Sequence, residues 1–215
     1  MKADKKSMLL YAVTDRAWLN GRNLEDDVEE ALKAGVTFVQ LREKHASYDE
    51  MVDLAKKIKA LTDRYNVPFV IDDNIEVAKA VDADGVHIGQ SDTEAKKARQ
   101  MLGNNKIIGV SASNVKEAVE AEKNGADYIG IGAMFPTDTK KDHRDLTFEE
   151  AKKITSSVNI PVVAIGGINS KNIMELKGTG VDGVAVVSAI FASDDRYAAA
   201  KELLELSKKM VYGDE

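Results

Sequence analysis

"GADYIGIG", residues 125–132, reads as a glycine, a small and an acidic residue, then a short apolar run ending on glycine. Much the same outline recurs as "AGVTFVQL" (34–41), "ADGVHIGQ" (83–90) and "GVDGVAVVS" (180–188). Aligned on Thr37, Asp84, Asp127 and Asp182, the copies stand 47, 43 and 55 residues apart. Their apolar runs are continuous and rich in Val and Ile. That is the pattern of strands covered on both faces, not of strands with one wet face. Each interval is one strand-helix-strand-helix unit, so the recurring copies are the even strands of a longer series.

The segments between the copies supply the other elements. Strands are expected at 8–13, 37–41, 68–71, 85–88, 106–110, 127–132, 161–165 and 183–187. Amphipathic helices are expected at 24–35, 48–65, 75–81, 93–102, 115–125, 147–154, 171–176 and 195–210. Strict alternation implies a parallel sheet. Eight units predict an α/β protein, a single (β/α)8 TIM barrel over residues 1–215. The alternative is an open doubly wound sheet, but no G-x-G-x-x-G follows the first strand.

Composition narrows the function classes. A chain of 215 residues with 44% hydrophobic content can build one sizeable core. The net charge of −6 argues against a nucleic-acid partner. There is no cysteine, hence no disulfide and no thiolate chemistry. The apolar run before Asp15 is shorter than a signal peptide or a membrane span requires. A soluble cytoplasmic protein is expected, with homo-oligomerisation left open. His45, His87 and His143 lack metal-ligand spacing, so zinc is not expected.

In such a barrel the site lies at the C-terminal ends of the strands. There the sequence places Thr14-Asp15, then Gln40, Arg42 and Lys44, then Asp72-Asp73, Gln90 and Asp92, Ser111 and Ser113. "GAMFPTDTKKDH", "AIGGIN" and "VVSAI" follow the last three strands. The opposite ends start on Gly, Pro and small residues. Two chemistries are indicated. Gly166-Gly167 and Val187-Ser188 suit an anion held on backbone N–H groups, with Thr137, Thr139 and Lys140 on the same rim. Asp73 and Asp92 could converge on one Mg²⁺, or could simply cap the helices they precede. Arg42, Lys44 and Lys140 beside a metal suggest a diphosphate, whose charge needs both. His87 reads as a satisfied interior residue, Glu43 as an ion-pair partner and Asp138 as solvated. Trp18, Met134 and Phe135 read as packing residues. No activated Ser–His or Cys–His pair is evident. The polar stretch near 133–146, poor in apolar anchors, is the natural lid.

"YAVTD", "VQLREK", "ADGVHIGQSD", "IIGVSAS", "GADYIGIGAMFPTDTK", "PVVAIGGIN" and "GVAVVSAIF" resemble, in order and along nearly the whole chain, the thiamine phosphate synthase family. The resemblance implies a transferase of thiamine biosynthesis on a (β/α)8 barrel. It would join 4-amino-2-methyl-5-hydroxymethylpyrimidine diphosphate to 4-methyl-5-(2-hydroxyethyl)thiazole phosphate with Mg²⁺, releasing pyrophosphate. It implies that "QLREK", that is Gln40, Leu41, Arg42, Glu43 and Lys44, faces the pyrimidine diphosphate together with Lys140. Asp73 and Asp92 would hold Mg²⁺, and Ser111 would touch the pyrimidine. Thr137, Asp138 and Thr139, with Gly167, Val187 and Ser188, would form the thiazole-phosphate site. Arg42, Lys44, Ser111 and Lys140 would carry catalysis. The family usually reads I-N-D where this chain has Ile71-Asp72-Asp73, so Asp72 puts a carboxylate where an amide meets the diphosphate. Rival readings are the related thiazole tautomerase, a Schiff-base aldolase on the same barrel, and a non-catalytic phosphate-binding regulator.

Overall fold

A computed structural model describes residues 3–89, 92–137 and 145–213, with the backbone alone for residues 92–94. Its strands are β1 (Leu10–Val13), β2 (Phe38–Leu41), β3 (Phe69–Asp72), β4 (Gly85–Ile88), β5 (Ile107–Ala112), β6 (Tyr128–Ile131), β7 (Val162–Ile165) and β8 (Gly183–Val186). They pair in parallel and in sequence order, and β8 returns to β1 to close the barrel. The helices are α1 (Leu24–Lys33), α2 (Tyr48–Tyr65), α3 (Ile75–Ala80), α4 (Asp92–Leu102), α5 (Val115–Lys123), α6 (Phe148–Thr155), α7 (Ser188–Phe191) and α8 (Arg196–Tyr212).

Three elements differ from the sequence reading, one of them a 3-10 turn at Arg16–Trp18, capped by Asp15, where no element is expected. The expected helix at 171–176 is a 3-10 turn, Ile173–Leu176. Only Ile173 and Leu176 of that turn are buried. Gly178 and Gly180, both with positive φ, end the segment before a second turn can form. The one-turn α7 directly after β8 was not anticipated. Elsewhere local signals agree with the fold. Ser47 and Glu50 form a capping box on α2, as Thr147 and Glu150 do on α6.

The internal repeat has a structural cause. Thr37 Oγ1 accepts from the Leu10 amide at 2.9 Å, and the Thr37 amide donates to Leu10 O at 2.8 Å. Asp84 clamps Phe69 in the same two-way manner, at 2.9 and 2.9 Å. Asp127 clamps Ile108 at 2.8 and 2.7 Å, and Asp182 clamps Val162 at 2.9 and 2.7 Å. Each repeat residue therefore ties the entrance of an even strand to the start of the odd strand before it. Those amides have no earlier strand residue to pair with, and an acceptor side chain satisfies them.

Inside the barrel, Met8, Tyr11, Phe38, Val70, Tyr128 and Val163 belong to one buried cluster. A second, larger cluster lies between strands and helices. Gly109 makes room for the inner one. A Cβ there would sit 2.1 Å from the Tyr128 ring, so only glycine lets that tyrosine cross the barrel. No helix among the described residues is long and apolar enough to cross a membrane.

Candidate active site

The C-terminal ends of the strands surround a cavity of about 600 Å³. Gln40, Arg42, Lys44, Asp72, Asp73 and Ser111 line it, as do Thr137, Gly167, Val187 and Ser188. Alternation along the second strand decides which side chains arrive. Gln40, Arg42 and Lys44 line the cavity. Leu41 and Glu43, from the same "QLREK" stretch, do not. Leu41 is buried in the strand–helix core, and Glu43 pairs with Arg16 at 2.7 Å. The side chain of Asp92, at the start of α4, lies outside the described residues, as do Gln90, Asp138, Thr139, Lys140 and His143.

Asp73 has φ 57°, and its amide donates to His87 O at 2.8 Å. It is not the helix cap. Asn74 takes that role, its side chain accepting from the Val77 amide at 3.0 Å. The alternative reading of Asp73 as a cap is thereby removed. Its carboxylate stands exposed at the mouth.

Asp72 has a defined environment. Its Oδ1 accepts from Gln40 Nε2 at 2.5 Å, and its Oδ2 lies 3.7 Å from Arg42 Nε. Arg42 Nη1 also lies 3.9 Å from Asp15. The Asp72 carboxylate is thus held back against Arg42, and its charge is partly offset before any ligand arrives. Thr14 Oγ1, buried beneath, accepts from the Arg42 amide at 3.0 Å and fixes where that side chain leaves the strand.

Under the mouth lies a network that the sequence reading did not assemble. Tyr11 OH donates to Gln40 Oε1 at 2.6 Å and meets Tyr128 OH at 2.7 Å. Tyr128 OH meets His87 Nδ1 at 2.9 Å, and His87 Nε2 meets Ser111 Oγ at 3.0 Å. His87 is satisfied, as expected, yet it also lines the cavity. A Ser–His contact is thus present, but His87 Nδ1 meets a phenol and not a carboxylate, so it is not the activated pair that the sequence reading found lacking. Ser111 and His87 lie on adjacent strands, where His87 pairs with Gly109 two residues before Ser111. Parallel pairing makes neighbours of residues far apart in sequence. Two-residue alternation from Gly109 was the signal that could have revealed the pair. Burial pushes both Tyr11 and Tyr128 above the ordinary phenol range, with the Asp72 charge adding to the rise in each. Burial also raises Glu43, against the opposing pull of Arg16.

The opposite rim is rigid. Gly167 has φ 66°, and a Cβ there would meet Pro136 O at 2.6 Å. The Met134 and Phe135 amides donate to Ile165 O and Gly166 O at 3.0 and 3.1 Å, prolonging the β6–β7 pairing past the strands. Asn172 Nδ2 holds Gly167 O at 2.9 Å. Of the 133–146 stretch, residues 138–144 lie outside the described residues, and the described ends are better anchored than their composition suggested. Met134 and Leu146 are buried, and the Leu146 amide donates to Ala133 O at 2.8 Å. Trp18, Met134 and Phe135 are not on the cavity wall.

Comparisons with known proteins agree with this architecture. The family model described as thiamine monophosphate synthase matches residues 10–190. The thiamine-phosphate synthase of Clostridium tetani is 50% identical over 194 residues, covering 90% of this chain and 93% of its own. That of Ruminiclostridium cellulolyticum is 51% identical over 197 residues, covering 92% and 94%. The solved thiamine phosphate pyrophosphorylase of Pyrococcus furiosus superposes with a TM-score of 0.87 at 43% identity, covering 96% of this chain and 98% of its own. With the barrel, its polar rim and these likenesses together, the chain belongs to the thiamine monophosphate synthase family and is a transferase of that kind.

Proposed function

We propose that this enzyme joins 4-amino-2-methyl-5-hydroxymethylpyrimidine diphosphate to 4-methyl-5-(2-hydroxyethyl)thiazole phosphate, giving thiamine phosphate and pyrophosphate by dissociative loss of the diphosphate. The observation that carries the reading is the gathering of Arg42, Lys44 and Asp73 at one mouth, across from the Gly167 and Val187-Ser188 rim. A cavity of about 600 Å³ suits two small ring substrates.

The electron-rich aminopyrimidine would expel pyrophosphate and leave a stabilised methylene cation, which the thiazole nitrogen attacks. Arg42 and Lys44 are placed to stabilise the charge that develops on the leaving group. Lys140 is proposed for the same task. The cavity walls hold the two rings in line, and this lowers the entropic part of the barrier. The Ser111–His87 pair is not needed as a nucleophile, because nothing is transferred to the protein. The group that His87 Nδ1 meets is a phenol, whereas an activated serine has a carboxylate in that place.

The donor set fits Mg²⁺. No cluster of three or more His, Asp or Glu suited to a metal occurs among the described residues. An all-protein cage is therefore not built there, but Mg²⁺ commonly takes one or two carboxylates and completes its shell with waters and substrate phosphates. Asp73, with Asp92, would supply the carboxylates. When bound, the ion would neutralise charge on the departing diphosphate.

One coupled assay tests the reading: both substrates are supplied with Mg²⁺, and thiamine phosphate and pyrophosphate are measured. Both products are expected, and both should vanish on chelation. Isomerisation of the thiazole without joining would favour the tautomerase. An imine trapped by borohydride would favour the aldolase.

A further inference from the structure

We propose that Asp72, through Gln40, Tyr11 and Tyr128, orders the hydrogens of the cavity wall in one direction, so that His87 carries its hydrogen on Nδ1 and Ser111 shows an acceptor to the bound ring. The members are linked by contacts of 2.5, 2.6, 2.7, 2.9 and 3.0 Å, running from Asp72 to Ser111.

The direction follows from counting donors. Asp72, beside Arg42, is a carboxylate and only accepts, so the end of the Gln40 amide that meets it is the nitrogen. The amide oxygen then faces Tyr11, and an amide oxygen cannot donate. Tyr11 must spend its one hydrogen there. Tyr128 must therefore donate to Tyr11. Having spent its own hydrogen, Tyr128 can only accept from His87, which places a hydrogen on Nδ1. In the neutral ring Nε2 is then bare and accepts from the Ser111 hydroxyl. The lone pairs of Ser111 Oγ remain for the cavity that Ser111 lines. Both phenols keep their hydrogens because burial holds them protonated.

An asparagine at position 72 would not impose this order. Its side chain could offer nitrogen to Gln40, the Gln40 amide would turn over, and every bond up to Ser111 would reverse. Ser111 would then present a donor. The Asp72 carboxylate thus fixes which kind of ligand atom the far wall accepts, namely one bearing an N–H. The hydrogen positions follow from the donor count with Asp72 ionised, both phenols protonated and His87 neutral, and only the identity of the ring rests on the synthase reading.

Histidine tautomers are read directly from long-range ¹H–¹⁵N correlation spectra. The chain has three histidines, so His87 is assigned by comparison with His87→Gln. In ligand-free protein at about pH 8, above the ordinary histidine pKa, His87 is expected with hydrogen on Nδ1. Hydrogen on Nε2 overturns the proposal. Tyr11→Phe frees the Tyr128 hydrogen to point at Nδ1, and the Nε2–H form should become the major one. An unchanged ring in that variant overturns transmission through Tyr11. Asp72→Asn should show both ring forms, and a single Nδ1–H form overturns the part given to Asp72. No substrate is needed, so these results are independent of the coupled assay.

Discussion

The two ends of the barrel solve different problems, and they do so in different ways. At the entrance, Thr37, Asp84, Asp127 and Asp182 meet the same need four times, an acceptor for an amide at the start of an odd strand. One geometry recurring at each unit leaves one residue pattern recurring in the sequence. At the exit no two strands end alike. Arg42 is paired with Asp72, Asp73 stands at the mouth, Ser111 is bonded to His87, and Gly167 packs beneath Pro136. Each residue there has different neighbours, so repetition is lost. The entrance should therefore matter for stability and the exit for turnover.

The largest effect is expected at the exit. Arg42→Ala should lower kcat/KM by about 10²–10³-fold, the range found when one pre-placed electrostatic group is removed. Its ion pairs of 3.7 and 3.9 Å at a partly open rim add little to stability, so Tm should hardly move. A variant that unfolds, or one that keeps full turnover, breaks the comparison. Asp182→Ala tests the entrance. It leaves the Val162 amide without its side-chain acceptor in a buried place. The expected loss is about 1–3 kcal/mol, or about 2–4 °C in Tm per kcal/mol for a chain of this size. Turnover per folded molecule should stay the same. The Lys5 contact to Asp182 is mostly solvated and contributes little. A drop in kcat/KM without a change in Tm would contradict the division.

The same contrast explains what could be read from the sequence. The barrel was legible because buried parallel strands give uninterrupted Val- and Ile-rich runs, and because the clamps repeat. The rim positions were legible one strand at a time, since polar residues after an apolar run mark the strand end. What was not legible is sideways. The bonds from Tyr11 to Tyr128 and from His87 to Ser111 join residues 117 and 24 positions apart. They depend on strand stagger, and no local pattern carries stagger. Leu41 and Glu43 show the converse. A motif quoted whole contains both faces of its strand, and only alternate residues reach the cavity. At Asp73 the residue type suggested a helix cap as readily as a ligand, until Asn74 was seen to cap α3.

Within the exit rim, Asp72 gives a smaller effect of the opposite sign. On the proposed function, its contact with Arg42 would compete with a diphosphate for that guanidinium. Asp72→Asn should tighten inorganic pyrophosphate, which has no ring to meet Ser111, about two- to five-fold, the scale of a partly exposed ion pair. If Asp72 instead served mainly to hold Mg²⁺, the variant would need more Mg²⁺ for half-maximal rate. Measuring both affinities separates the two roles, and weaker binding of both would remove the competition argument.

The smallest effect concerns Glu43, an exit-side residue turned away from the cavity. Its side chain is 5% exposed and pairs with Arg16, while Oε1 is buried without a hydrogen-bond partner among the described residues. Burial raises its pKa from 4.5 despite that pairing, so the folded state binds this proton more tightly than the unfolded chain does. The associated stability is fully present below the unfolded value near 4.5, and it is lost as pH rises through the folded-state value. Glu43→Gln keeps the shape and cannot ionise. Relative to the variant, the wild type should therefore lose stability as the medium is taken from about pH 4 to about pH 7, read from urea midpoints at each pH. Parallel pH profiles for the two proteins would mean that Arg16 fully offsets the burial. Glu43 would then be an ordinary surface ion pair, and the exit rim would hold one strained carboxylate fewer.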